Sequence, residues 1–390
     1  MIKTIKVMLL PNNKQQTKLF QCAGTARFVY NWALVRQQEN YKNGDKFISN
    51  YSLMKEFTKL KQLQEFNWLN NFSRQIINQS ITDACDAYIK FFKVQCDYPK
   101  FKSKKKSRPS FYVNYNTIKF TNNFVKLEKL SNSKRPNKQK LNWIKLTEKN
   151  RVPINCNYHA PRVTFDGLNW YLTVGIDYPD CEEAPSNDGI GIDLGVKDLA
   201  ITSDGYFYKN INKTNQIKKL EKKKKRLQRK VSGKYEKNKN VENYFKTNNI
   251  KKVEKQILKL NKRLTNIRQN CIHQTTTEII KRKPSFIVME NLNVSGMMKN
   301  KHLSKAIAEQ KFYEFKRQIE YKSAWNNIKF IEADRFYPSS KLCSCCGNIK
   351  KDLKLSDRIY RCECGNVIDR DLNAAINLEN YGHKVLKSAI

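Results

Sequence analysis

Two hydrophobic rhythms run along the chain. From Ile190 to Val196 the aliphatics Ile190, Ile192, Leu194 and Val196 alternate with Gly191, Asp193 and Gly195, a period of two that predicts a strand. One face of that strand is aliphatic. The other carries glycines and a single carboxylate, leaving room for an anion or a metal to approach the backbone. Leu199–Thr202, the turn signal Ser203-Asp204-Gly205 and Tyr206-Phe207-Tyr208 complete a predicted hairpin. Residues 1–10 also alternate as a strand, closed by Pro11-Asn12-Asn13.

The helical rhythm appears over Gln15–Glu39, Leu53–Leu63 and Ser73–Val94, so residues 12–97 are predicted to be mainly helical. Short strand candidates follow to about Tyr178: Phe111–Val113, Thr117–Phe120, Trp143–Leu146, Arg162–Phe165 and Trp170–Val174. Asp166-Gly167 marks a hairpin between the last two. Residues 1–10 and 105–180 are predicted to form one β-domain interrupted by the helices. Further on, Lys218–Lys230 sets Leu220, Leu227 and Val231 near one face, and Ile250, Val253, Ile257, Leu260, Leu264, Ile267 and Cys271 step by three and four. With Ser232-Gly233 and a polar stretch between them, an antiparallel helical hairpin is predicted. A single helix is expected over Ser304–Trp325 and a strand at Ile328–Ile331.

Composition adds a partner. Of 390 residues, 75 are Lys or Arg and 35 are Asp or Glu, a formal net charge of +40 spread along the chain, which fits a polyanion. No run approaches the roughly 20 apolar residues of a membrane span, and the N-terminus lacks a signal-peptide core, so a cytoplasmic or nucleoid location is expected. The basic stretch Pro99–Pro109 reads as a solvated loop or a phosphate contact.

Three acids and a cysteine cluster carry the candidate chemistry. Asp193 alone reads as a turn or edge residue. Glu290 ends the apolar run Phe286–Met289, where an acid either reaches water or meets a metal or cation. Asp371 opens a helix after Asp369-Arg370, where capping is the ordinary role. Five of eleven cysteines crowd into Cys343–Cys364, which points to a metal rather than to disulfides. Two knuckles, Cys343-Ser344-Cys345-Cys346-Gly347 and Cys362-Glu363-Cys364-Gly365, offer Cys343, Cys346, Cys362 and Cys364 for a structural Zn²⁺, leaving Cys345 over. The second knuckle has one intervening residue instead of two.

These segments together resemble the TnpB family, insertion-sequence-encoded RNA-guided DNA nucleases similar to type V CRISPR effectors. The resemblance rests on Gly191-Ile192-Asp193-Leu194-Gly195, Val288-Met289-Glu290-Asn291-Leu292, Tyr337-Pro338-Ser339-Ser340-Lys341, Asp369-Arg370-Asp371-Leu372-Asn373-Ala374-Ala375 and Ala26-Arg27-Phe28-Val29-Tyr30-Asn31-Trp32. It implies an α/β multidomain chain. A β-barrel-like wedge domain (1–10 and 105–180) would carry a helical recognition insert (11–104). A RuvC-like nuclease domain of RNase H fold (186–340, with a helical hairpin at 211–283) would continue at 369–390 after a zinc ribbon insertion (341–368).

By the same resemblance Asp193, Glu290 and Asp371 are catalytic carboxylates for two Mg²⁺ ions, Asp371 being preferred to Asp369 because it directly precedes Leu-Asn-Ala-Ala. Arg358 would contact the scissile phosphate. The implied partners are a guide RNA from the protein's own element and target double-stranded DNA. A eukaryotic host would place the protein in the nucleus. The alternatives are a catalytically silent nucleic-acid-binding regulator and a transposase performing strand transfer.

Overall fold

The computed structural model describes residues 1–130, 140–179, 188–237, 246–354 and 357–388. Asn187 and Cys181 lie outside the described residues. The chain divides into two compact units, Met1–Pro179 and Asp180–Ile390.

In the first unit, β1 (Ile2–Leu10) leads into α1 (Asn13–Lys42), α2 (Asn50–Leu60) and α3 (Arg74–Phe92). Strands β2 (Ser110–Tyr112), β3 (Lys119–Phe120), β4 (Phe124–Lys126), β5 (Trp143–Leu146), β6 (Tyr158–Phe165) and β7 (Trp170–Asp177) follow. The strand order is β2-β6-β7-β1-β5-β4-β3, antiparallel throughout. β1 pairs with β7 from Ile2↔Asp177 to Leu9↔Trp170 and meets β5 at its end, which joins the first ten residues to strands more than 130 positions away. Among the described residues β2 and β3 do not pair, so the ladder is an open sheet and not the closed barrel that the word barrel-like suggests.

Helix α1 starts at a reciprocal cap: the Asn12 side chain accepts from the Gln15 amide while the Gln15 side chain accepts from the Asn12 amide. Its 30 residues, about 45 Å of helix, serve two cores. Leu19, Cys22, Ala23 and Ala26 pack on the sheet with Val7, Leu172 and Trp170. Val29, Tyr30, Ala33 and Leu34 pack with Leu53 and Phe57 of α2 and Ile77 and Ile81 of α3. Arg162 on β6 donates to both carboxylate oxygens of Asp83 on α3 at 2.8 and 3.0 Å, a bidentate link between helices and sheet. A 3₁₀ segment, Gln64–Asn71, and strand β4 had no counterpart in the hydrophobic pattern.

The second unit holds β8 (Ile190–Asp193), β9 (Asp198–Thr202), β10 (Phe207–Lys209), α4 (Asn215–Lys237), α5 (Asn248–Lys281), β11 (Phe286–Glu290), α6 (Ser304–Gln310), α7 (Phe312–Trp325), β12 (Lys329–Ala333), β13 (Ile359–Arg361), β14 (Val367–Asp369) and α8 (Arg370–Lys387). Its five-stranded sheet runs β10-β9-β8-β11-β12. The β8–β9–β10 meander is antiparallel, whereas β8, β11 and β12 are parallel. Ile190, Ile192, Ile287 and Met289 face Ile272, Ile279 and Ile280 of α5 and Phe315 and Ile319 of α7. On the opposite face Phe286, Val288 and Ile331 pack with Leu378 of α8. The sheet is therefore sandwiched between helices, as its hydrophobic two-faced strands require.

Two expectations need correction here. The Ser304–Trp325 helix is broken at Lys311, which adopts left-handed φ 55°, because Gln310 beside it turns inward and donates to the Gly195 and Val196 carbonyls. Ser232 and Gly233 lie inside α4, which runs unbroken to Lys237. Helix α4 packs along α5, with Ile217 of α4 and Ile250, Val253, Leu260 and Leu264 of α5 buried. Among the described residues no helix is long and apolar enough to cross a membrane.

Candidate metal and nucleic-acid cleavage site

The sheet register brings two of the three acids together. β8 and β11 run parallel with Ile287↔Ile190, Val288↔Gly191 and Met289↔Ile192, so one further step sets Glu290 beside Asp193 at the carboxyl ends of both strands. Side chains alternate across a strand, so these two carboxylates share the face of Gly191 and Val288, the face covered by α8. Ends of parallel strands are where open α/β sheets hold ligands.

Helix α8 supplies the third acid. Asp369 is its N-cap, its Oδ1 accepting from the amides of Asp371 at 2.9 Å and Leu372 at 3.2 Å. Capping occupies Asp369 and leaves Asp371, on the first turn, to face the strand ends. Gly191 permits the approach: a Cβ built there would lie 1.9 Å from the Ala375 carbonyl oxygen and 2.6 Å from the Glu379 amide nitrogen. The open glycine face of β8 is therefore filled by the backbone of α8, not left free for an anion or a metal.

Asp193 reports the crowding. Burial, then the negative charges of Asp371 and Glu290, push its carboxyl up to about 7, against a smaller opposing pull from Arg370 and the Leu194 amide. Burial also raises Glu290. Arg370 donates to Asp371 Oδ1 from Nε at 3.1 Å and from Nη2 at 2.9 Å, and Arg358 Nη1 stands 3.9 Å from Asp371 Oδ2. The β13–β14 ladder brings Arg358 there: it pairs Ile359↔Asp369, and the Arg370 amide donates to the Arg358 carbonyl. Sequence reading named Arg358 and passed over Arg370, although it sits between two quoted acids. It also missed Gln310, which ties down the loop after Asp193 and carries no sequence signal beyond a polar residue in a helical stretch.

The four cysteines converge as two crossed pairs, Cys343 with Cys364 at 3.7 Å and Cys346 with Cys362 at 3.6 Å between sulfurs. All four ligand atoms lie within 4.8 Å of one another, and this is the one such His, Cys, Asp or Glu group among the described residues. Cys345 is exposed and lies outside it. The Cys-x-Cys knuckle closes all the same: Gly365 takes φ 88° and its amide donates to the Cys362 carbonyl, as Gly347 at φ 76° donates to Cys343. This cluster can hold a metal ion.

Asn373 and Asn377 connect the cluster to α8. One turn apart and almost fully buried, they donate to the Leu342 carbonyl at 2.7 and 2.6 Å; Asn377 also donates to Ser339, and Asn373 accepts from the Ser344 amide. The run after Asp371 thus has a division of labour. Asn373 and Asn377 grip the first knuckle while Ala375 presents its backbone to Gly191.

Three family models match in chain order. Residues 1–46 match a model described as "Helix-turn-helix domain", residues 173–301 the IS605 OrfB model described as "Probable transposase", and residues 312–378 "Cas12f1-like, TNB domain". Within 1–46 the structure holds β1 and the single helix α1. The chain is 29% identical to "Putative RNA-guided DNA endonuclease InsQ" of Escherichia coli (strain K12), over 99% of this chain and 93% of that one. It is 26% identical to a "Putative RNA-guided DNA endonuclease" of Streptomyces pristinaespiralis, over 96% and 88%. Over 32% of its length it is 30% identical to the "TnpB-like protein L79" of Acanthamoeba polyphaga mimivirus, of which it covers 24%. In fold it is similar to the protein of the "Cryo-EM structure of the Cas12f1-sgRNA-target DNA complex", with a TM-score of 0.63, 14% identity and coverage of 97% and 99%. With matches that follow one another along the chain and relatives aligned over nearly all of it, the chain belongs to the TnpB family.

Proposed function

We propose that the protein is an RNA-guided DNA endonuclease encoded by a transposable element, hydrolysing target DNA at Asp193, Glu290 and Asp371 within a RuvC-like nuclease domain. The observation that carries this reading is the meeting of those three acids, the outermost two of them 178 positions apart in sequence, at the carboxyl ends of β8 and β11. The raised Asp193 carboxyl fits a site made to receive cations, since acids held this close gain most from a positive charge between them. Asp193, Glu290 and Asp371 would hold two Mg²⁺ ions, which when bound would supply water activation and charge stabilisation at the leaving 3′ oxygen.

The chain's own residues do the rest. Asp193, Glu290 and Asp371 hold cations, Arg370 orients Asp371, and Arg358, half-exposed beside Asp371, is available to a phosphate. The +40 charge suits a guide RNA and its heteroduplex with one strand of target DNA, held by backbone shape while base pairing supplies sequence choice. The cysteine cluster suits structural Zn²⁺: a tetrahedron with Zn–S of about 2.3 Å has sulfurs about 3.8 Å apart, close to the 3.6 and 3.7 Å found. The first unit is assigned as the wedge-like sheet with its helical recognition insert, residues 341–368 as the zinc ribbon and 369–390 as the return of the nuclease domain.

Cleavage of a matched DNA duplex by protein purified with its co-transcribed RNA, in Mg²⁺ and in EDTA, tests the proposal. Wild type should cut only with both RNA and Mg²⁺, leaving 5′ phosphates. Equal cutting by Asp193→Ala would remove the catalytic assignment. Joined strands in place of hydrolysed ends would favour the transposase reading.

A further inference from the structure

The lysine-rich loop after residue 98 and the outward face of α1 take no part in the acid or cysteine sites, yet both are built with care. Asn31 of α1 donates to the Lys102 carbonyl and accepts from the Lys102 amide, both at 2.8 Å. The Lys102 ammonium lies 3.5 Å above the Tyr30 ring. At the tip, Ser107 Oγ accepts from the Ser103 amide and Ser103 Oγ from the Lys106 amide. Pinned in this way, Lys104, Lys105, Lys106 and Arg108 stand along a groove of 850 Å³ whose other wall is α1 with Arg27.

Among the described residues none of these five cations has a carboxylate partner, whereas Arg36, Arg162, Arg268 and Arg317 all do. Positive side chains gathered along one groove and left without carboxylate partners suit a polyanion.

A second groove, of 830 Å³, lies across the same helix face and carries Lys18, Lys129 and Trp68. The two grooves share Gln21, Gly24 and Arg27. Gly24 is the ridge between them. A Cβ there would meet nothing within 4 Å, so among the described residues no contact calls for glycine, although glycine within a helix costs about 1 kcal/mol relative to alanine. Close passage of a ligand over α1 supplies the missing reason.

We infer that a single strand of RNA crosses α1 at Gly24, its phosphates against Lys104–Lys106, Arg108 and Arg27 and an unpaired base against Trp68. Trp68 is 42% exposed and braced by Phe28 and Phe72, and an aromatic ring reachable from solvent can stack on a base that has left a duplex. The Gln21 amide, which makes no hydrogen bond among the described residues, can both donate to and accept from a ribose 2′-hydroxyl. A helix-turn-helix mode is not available here, since residues 1–46 contain one helix. The inference rests on the RNA partner of the proposed function and gives that partner a surface.

The test is binding without cleavage. Full-length zinc-loaded protein in buffer without Mg²⁺ is titrated into a short fluorescein-labelled single-stranded RNA, and anisotropy is followed at several KCl concentrations. Replacing Lys104, Lys105, Lys106 and Arg108 by alanine should lower the slope of log K against log salt by about 3, since a single strand contributes roughly 0.7 per phosphate contact. Gly24→Leu, which enters open space in a helix, should keep or raise its Tm and yet bind RNA about tenfold more weakly, the value of one modest base stack. Unchanged slopes, or wild-type affinity in Gly24→Leu, would overturn the site. Equal binding and equal losses with single-stranded DNA of the same sequence would overturn its assignment to RNA. Because leaving out Mg²⁺ silences cleavage and keeps the zinc in place, a binding failure counts against the grooves alone. Intact binding with no Mg²⁺-dependent cutting counts against the nuclease reading alone.

Discussion

Gly191 on β8 and Ala375 on α8 meet backbone to backbone, so closely that a Cβ on Gly191 would come within 1.9 Å of the Ala375 carbonyl oxygen. The contact sets the depth at which α8 lies on the sheet, and with it the position of Asp371 one turn earlier. Gly191→Ala should therefore lower stability by about 1–3 kcal/mol, as overpacking of a filled core does. It should also cost cleavage beyond its cost in stability. Denaturant melts and single-turnover cutting, both below the melting range, separate the two effects; equal activity per folded molecule would show that α8 can shift without moving Asp371.

Removing any one of the three acids should reduce cleavage by at least about a hundredfold, because each would hold cations directly and changes one shell further out already cost 10–100-fold. Asp193→Ala, Glu290→Ala and Asp371→Ala should retain the RNA binding of wild type. Asp369→Asn keeps an N-cap acceptor and should cut nearly as well as wild type. A loss in Asp369→Asn as deep as that in Asp371→Asn would reverse their roles.

The Asp193 carboxyl also makes stability depend on pH. Its folded value of about 7 lies above the usual 3.8, so between roughly pH 4 and 7 the folded protein keeps a proton that the unfolded chain has released. Stability of the cation-free protein should fall as pH rises through that window and level off above it. Asp193→Asn should raise Tm at about pH 8 and change little near pH 4. Addition of Mg²⁺ at the higher pH should raise the wild-type Tm and leave the Asn variant nearly unaffected.

Asn377→Ala removes the almost fully buried Asn377 donor from the Ser339 carbonyl and leaves the Leu342 carbonyl to Asn373 alone, a loss of about 1–3 kcal/mol. Since those carbonyls lead into Cys343, release of bound zinc to a colorimetric chelator should also speed up. Release at the wild-type rate would show that the knuckle holds its shape without α8.

Metal content separates the cysteines. Protein with Cys345→Ser should retain one equivalent of zinc, as Cys345 is exposed and outside the cluster. Cys364→Ser, which removes a ligand of the short knuckle, should lose most of it. Full retention in Cys364→Ser would point to a different fourth ligand.

Periodicity was enough to read the strands at Ile190 and Phe286 and the seam from Ile250 to Cys271, because a two-residue or a three-and-four-residue rhythm is written locally in the chain. Cysteine spacing marked the two knuckles, and the three acids, each ordinary when taken alone, were singled out by the resemblance to the TnpB family. Periodicity failed where a single polar contact overrides the rhythm. Gln310 turned inward splits one expected helix into two, and Gly233, which reads as a breaker, is carried through by the rest of α4.

What the sequence determined by itself was which residues could do chemistry, and on which kind of element each sits. The tertiary structure alone decided that they meet. The parallel register of β8 with β11 puts Glu290 beside Asp193, the Gly191–Ala375 contact sets α8 at its depth, and the Asp369 cap leaves Asp371 as the acid facing them. The first two depend on contacts between segments 97 and 184 residues apart, and the local cap matters only because they bring α8 to the strand ends. Such pairing leaves no local rhythm, since its free energy comes from surfaces that exist only once the chain has folded.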